Sequence, residues 1–152
     1  MVTSAVASAA APAAGPAASQ ISGQPSGRAS DITITVTGLR SSKGVVRACI
    51  TSNPDQFPKC RGDAASISIV KPAAQTLTLT FHDIKAGRYA VALLHDENNN
   101  GKADRAFMMM PTEGFGFSRD AKVKMGPPKF DEAAFDVSGG TVKQTIRMRY
   151  ML

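Results

Sequence analysis

From Asp31 onward apolar and polar residues alternate with a period of two, and that pattern restricts the chain to half-buried β-strands. "ITITVTGL" sets Ile32, Ile34 and Val36 on one face and Thr33, Thr35 and Thr37 on the other. "TLTLTF" repeats the arrangement, with Leu77, Leu79 and Phe81 against Thr76, Thr78 and Thr80. "GRYAVALLHD" carries Tyr89, Val91 and Leu93 opposite the small Ala90 and Ala92. "VKQTIRMRY" alternates Val142, Ile146, Met148 and Tyr150 with Lys143, Thr145, Arg147 and Arg149. "GVVRACI" and "SISIV" read as shorter strands, and "FDEAAF" suits a single helical turn. Strands of this kind, one face apolar and the other polar, predict an all-β fold of two antiparallel sheets packed face to face. The expected architecture is a β-sandwich, immunoglobulin-like or transthyretin-like.

The first 30 residues follow a different rule. They are almost entirely Ala, Pro, Gly and Ser, and their first charge is Arg28. Such a segment has too little apolar surface to offset its ordering entropy, so residues 1–30 are expected to form a tail or linker. The small-residue end of a signal peptide has the same composition. A single domain over 31–152 remains. Cys49 and Cys60 have ten residues between them, too far apart for a CxxC redox pair. In an exported protein they would form a disulfide worth roughly 3 kcal/mol; the alternative is two unrelated buried thiols. Tail and cysteines together favour a periplasmic or extracellular location.

The net charge of +6 and pI near 9.6 permit anionic partners, but the basic residues are spread along the chain. With no Trp and two Tyr, a stacking platform for nucleic acid is poorly supplied. No apolar run approaches the length of about 20 residues that a transmembrane helix needs.

Residues 111–137 interrupt the strand pattern. The stretch is rich in Gly, Pro and Phe, and too apolar for a solvated loop. Phe115, Phe117, Phe130 and Phe135, with Phe107 just before them, either cover the open end of the core or line a pocket for a small apolar ligand.

"YAVALLHDENNNGKAD", followed by "MMPTEGFGFSRDA" and "GPPKFDEAAFDV", resembles domain-of-unknown-function family 2141, small exported bacterial proteins. The likeness covers most of residues 31–152. It implies export and one β-rich domain, and it brings no catalytic residues with it.

The polar loop "DENNNGKAD" is the sharpest chemical feature. Asp96, Asn98, Asn100, Gly101, Lys102 and Asp104 fall on positions one, three, five, six, seven and nine of an EF-hand-type calcium loop. Calcium takes six to eight oxygens, and alternate side chains of a tight loop converge on one point. Here Asp96, Asn98, Asn100, the Lys102 carbonyl and Asp104 would be the ligands. Position twelve is Phe107, so the usual bidentate Glu is missing, and Glu97 or Glu113 would have to substitute. Only Asp96 and Asp104 bring charge, so affinity in the ~10⁻⁴–10⁻³ M range is expected. The competing reading is a metal-free turn, since Asn-Gly favours hairpins and Asx side chains cap turns.

Other candidates are thinner. His82 and His95, each followed by Asp, would offer two zinc ligands with no clear third. "FMMM" at 107–110 reads as apolar packing, and "RGD" at 61–63 carries no weight beside a cysteine. Lys143, Arg147 and Arg149 make a solvated basic strip, and Ser118 lacks a His–acid pattern for a triad. The sequence therefore points first to a non-enzymatic exported module for binding or support, with calcium as its candidate cofactor and a cell-envelope component or small apolar ligand as its candidate partner. A carrier of an apolar molecule comes second, and a metal-dependent hydrolase using His82 and His95 third.

Overall fold

A computed structural model describes residues 29–60, 63–101, 113–124 and 126–150. The alternating segments form β1 (Ser30–Thr37), β2 (Val45–Thr51), β3 (Ile67–Pro72), β4 (Leu77–Ile84) and β5 (Gly87–Asp96). The stretch expected as one long loop contains more structure than its Gly and Pro content suggested. It holds β6 (Gly114–Phe117), a 3-10 turn (Ser118–Asp120), helix α1 (Phe130–Ala133) and β7 (Phe135–Val137). Strand β8 (Gly140–Arg147) closes the described chain. β1 starts at Ser30, one residue inside the segment read as tail, and residues 1–28 lie outside the described residues.

The strands make two sheets. One has the order β4-β1-β8 and the other β3-β2-β5-β6, with β7 also pairing β5. The all-β sandwich-like fold expected from the alternation is therefore present. One detail differs: β1 and β8 pair in parallel, Ser30 opposite Gly140 through Thr37 opposite Arg147, while the other strand pairs are antiparallel. The long separation of β1 and β8 in the chain makes a parallel pairing possible, since no tight turn has to join them.

The principal core lies between the sheets. Ile32, Ile34 and Val36 meet Leu79, Phe81, Val46, Ile50, Val91, Leu93 and Ile146, each no more than 2 % exposed. Each such side chain contributes about 1.5–3 kcal/mol through burial. The opposite face of β5 builds a second cluster. Ala90 and Ala92 leave room there for Phe117, Phe130, Ala133 and Ala134, with Phe57 and Phe115 at its margin. Small residues on β5 thus allow α1 and the 3-10 turn to sit down on the sheet. The bridge between Phe115 and Arg149, with N–H···O bonds of 2.9 and 2.8 Å, joins the two sheets at one corner.

Candidate functional site

β5 ends at Asp96, and the polar loop begins where the sheet stops. Asn99 and Gly101 take positive φ values of 53° and 76°, which Asn and Gly tolerate better than other residues and which turn the chain sharply. The Asp96 carboxylate closes this turn from its base. Its Oδ1 accepts the Asn100 N–H at 3.1 Å and its Oδ2 accepts the Gly101 N–H at 2.8 Å. Asn98 Oδ1 accepts the Asn100 N–H as well, at 3.2 Å. Asp96 and Asn98, on alternate residues of one tight turn, thus accept the backbone N–H groups that close it. Lys102, Asp104 and Phe107 lie outside the described residues.

The loop is braced from two sides. Arg47 on β2 stands opposite Leu94, on the face of the sheet that also carries Asp96. Its Nε donates to Asp96 Oδ2 at 2.8 Å and its Nη2 to Asn99 Oδ1 at 2.8 Å. Burial raises the Asp96 pKa, but hydrogen bonds from Arg47, Gly101 and Asn100 and the Arg47 charge outweigh it, so the carboxyl titrates below its ordinary value. Glu97 faces the other way. It accepts from the Arg40 guanidinium and from Ser41 Oγ at 2.8 Å, and these bonds hold its pKa down against the opposing effect of burial. Glu97 is thus committed to the 38–44 loop, while Glu113 is buried immediately before β6.

His95 has no solvent exposure. Its Nδ1 lies 2.6 Å from Tyr150 Oη and its Nε2 lies 2.8 Å from the Lys43 carbonyl. A carbonyl can only accept, so Nε2 donates to it, and in the neutral ring Nδ1 then accepts from the Tyr150 hydroxyl. Burial pushes the Tyr150 hydroxyl pKa upward, which keeps that proton in place. Arg40 lies over the Tyr150 ring, 4.5 Å from its centroid, and donates its backbone N–H to the hydroxyl. The chain approaches closely here: a Cβ at Gly44 would lie 2.0 Å from the Asp96 carbonyl oxygen, and one at Gly114 would strike the Tyr150 ring.

The two histidines expected to share a metal are not neighbours. His82 is exposed on β4, 3.3 Å from Asp31, whereas His95 is enclosed at the far end of β5 in the other sheet. Among the described residues no three His, Cys, Asp or Glu side chains gather to hold a metal ion. Ser118 is also enclosed, accepting the Val91 N–H at 2.9 Å and donating to the Ala133 carbonyl.

The phenylalanines divide. Phe115, Phe117 and Phe130 share the second cluster with Phe57, whose ring meets Phe117 and Phe130 edge-on at centroid distances of 5.8 and 6.0 Å. Phe135 packs instead against the principal core. The rings fill space rather than line one hollow, and an open cleft of about 470 Å³ remains beside them, between Pro54, Phe57 and Pro58 on one bank and Pro127, Pro128 and Phe130 on the other. Cys49 and Cys60 are joined, with S–S 2.07 Å, and close the loop that carries Phe57. Of the basic strip, Arg149 grips Asp120 with two hydrogen bonds of 3.0 and 2.9 Å, so it is not simply solvated.

Sequence reading missed Arg47, Arg40, Tyr150 and Phe57. A signal existed for Arg47, the one charge inside the apolar run "GVVRACI". Nothing in the sequence pairs Tyr150 with His95, 55 residues away.

The profile described as "Uncharacterized protein conserved in bacteria (DUF2141)" matches residues 34–145. No curated protein and no solved structure matches the chain.

Proposed function

The chain belongs to the bacterial domain-of-unknown-function family 2141, and we propose that it is a non-enzymatic, exported module for binding or structural support, with a loop at 96–104 that takes calcium. The observation that carries the reading is the closure of the loop onto Asp96 by the Asn100 and Gly101 N–H groups. Those bonds orient the carboxylate at the base of a turn whose alternate side chains supply oxygen. Asp96, Asn98 and Asn100 would hold the ion, with the Lys102 carbonyl and Asp104 as further ligands. Calcium would supply charge that tightens the loop, not a reaction step.

Two further observations support the non-enzymatic and exported parts. His95, Glu97 and Ser118, which a catalytic reading would enlist, already spend their polar atoms on the fold. The Cys49–Cys60 bond suits an oxidising compartment, and among the described residues no helix is long and apolar enough to cross a membrane.

Thermal melting with and without calcium tests the proposal. A ligand that binds only the folded state adds about 1.4 kcal/mol at ten times its Kd, a few degrees in Tm. Magnesium should do less, because it holds its water tightly and demands a smaller cage. Asp96→Ala should remove the calcium-specific rise, while Lys102→Ala should keep it. No response to millimolar calcium in the wild type would leave the loop as a polar turn.

A second reading, a carrier of a small apolar molecule, rests on the Pro- and Phe-lined cleft. Binding of an apolar fluorescent probe that is lost in Phe57→Ser, with the fold retained, would favour it.

A further inference from the structure

We propose that the Arg47 guanidinium is the resident cation of the 96–101 loop, holding it closed without metal and competing with calcium for the Asp96 carboxylate. The competition rests on the calcium reading above; the metal-free clamp does not.

Arg47 is positioned by the sheet, not by the loop. The β2–β5 register places it diagonally across from Asp96 on the same face, within reach of a long side chain. Its fork then spans two points of the turn, the position-one carboxylate and the position-four amide of Asn99, both at 2.8 Å. Arginine suits this arrangement because its donors are fixed in a plane and its charge is permanent. The Asp96 side chain is fully covered, so its charge needs a partner within the protein, and Arg47 is that partner.

The arrangement also commits the carboxylate. Arg47, Asn100 and Gly101 fill three of the roughly four acceptor positions an ionised carboxylate offers. Arg47 and Gly101 share Oδ2, which leaves Oδ1 as the oxygen nearer to free. A divalent ion on Asp96 would therefore sit beside a fixed positive charge and share one carboxylate with it. In loops of this type the count of ligand charges sets affinity. Arg47 cancels the charge that Asp96 brings, so its removal should strengthen calcium binding while weakening the metal-free loop. A residue that merely packed against the loop would not produce these opposite signs.

The experiment uses the full oxidised chain as wild type, Arg47→Met, Asp96→Asn and the double variant, each melted in chelator and then across a calcium titration. In chelator, Arg47→Met should lower Tm, and the loss should be much smaller when Asp96 is already Asn. With calcium, the Tm of Arg47→Met should begin to rise at a concentration about tenfold lower than that of the wild type. Arg47→Lys, which keeps the charge but not the fork, should remain near wild type in calcium affinity while losing part of the Tm in chelator, and Arg47→Gln replaces Arg47→Met if that variant fails to fold. An unchanged Tm for Arg47→Met in chelator, or equal losses in both Asp96 backgrounds, would overturn the clamp. Calcium bound by wild type and Arg47→Met with equal affinity would overturn the competition. If neither protein responds to calcium, the calcium reading and the competition fall together, and the chelator cycle alone decides the clamp.

Discussion

Replacing His95 with Phe tests whether this residue is part of the frame. Phenylalanine is somewhat larger than the imidazole it replaces, so no cavity opens, and the loss of two hydrogen bonds is the least the change can cost. His95 is completely enclosed, with Tyr150 Oη at 2.6 Å and the Lys43 carbonyl at 2.8 Å. Leaving a buried polar group without its partner costs about 1–3 kcal/mol. Lys43 is at the surface, where water can replace part of its bond, so a total of about 2–3 kcal/mol is expected. For a domain of this size that is a fall in Tm of about 8–12 °C. Tyr150→Phe should cost about 1 kcal/mol, and the double variant should melt above the additive expectation by a similar amount. The assay is calorimetric or circular-dichroism melting of all four proteins. If His95→Phe melts within about 2 °C of the wild type, the histidine is not a structural brace, and the argument that its nitrogens are spent on the fold fails.

Asp96, Glu97 and Asp120 all have pKa values held below normal in the fold. Their stabilisation is therefore present above the unfolded carboxylate values of about 4 and is lost as pH falls through the lower folded values; Tm measured from pH 6 downward should drop steeply below about pH 4, and less so in Asp96→Asn. Gly44→Ala places a Cβ 2.0 Å from the Asp96 carbonyl oxygen at a φ of +68°, and should cost more than the roughly 1–2 kcal/mol of left-handed strain alone, read by denaturant unfolding. Protein made under oxidising conditions should show no alkylated thiol by intact mass without reductant, and two accessible thiols would contradict the Cys49–Cys60 bond. Deleting residues 1–28 should leave Tm within about 2 °C, since β1 begins at Ser30.

The sequence made the principal sheets legible because burial on one face imposes a period of two, and the Ile32–Val36 and Leu77–Phe81 faces did point into the core. The single turn in "FDEAAF" was legible for its short apolar spacing and became α1. β6 and β7 were not. "GFGF" alternates large and absent side chains, because Gly114 and Gly116 are pressed against Tyr150, Ile146 and Met148, and that pattern does not read as a strand. The parallel β1–β8 pairing follows from topology, which periodicity does not encode. At the loop, the order of oxygen-bearing side chains was plain from Asp96 to Asn100. The cation that meets them was not, because Arg47 lies 49 residues away and reaches Asp96 only through strand register.

Amide NMR during a calcium titration tests the central claim most directly. The prediction is that the Gly101 and Asn100 amides, which donate to Asp96, shift first and together with Asn98, with half-saturation at ~10⁻⁴–10⁻³ M, and that Asp96→Ala abolishes the movement. Shifts scattered over the acidic surface, or none at this turn at millimolar calcium, would contradict it.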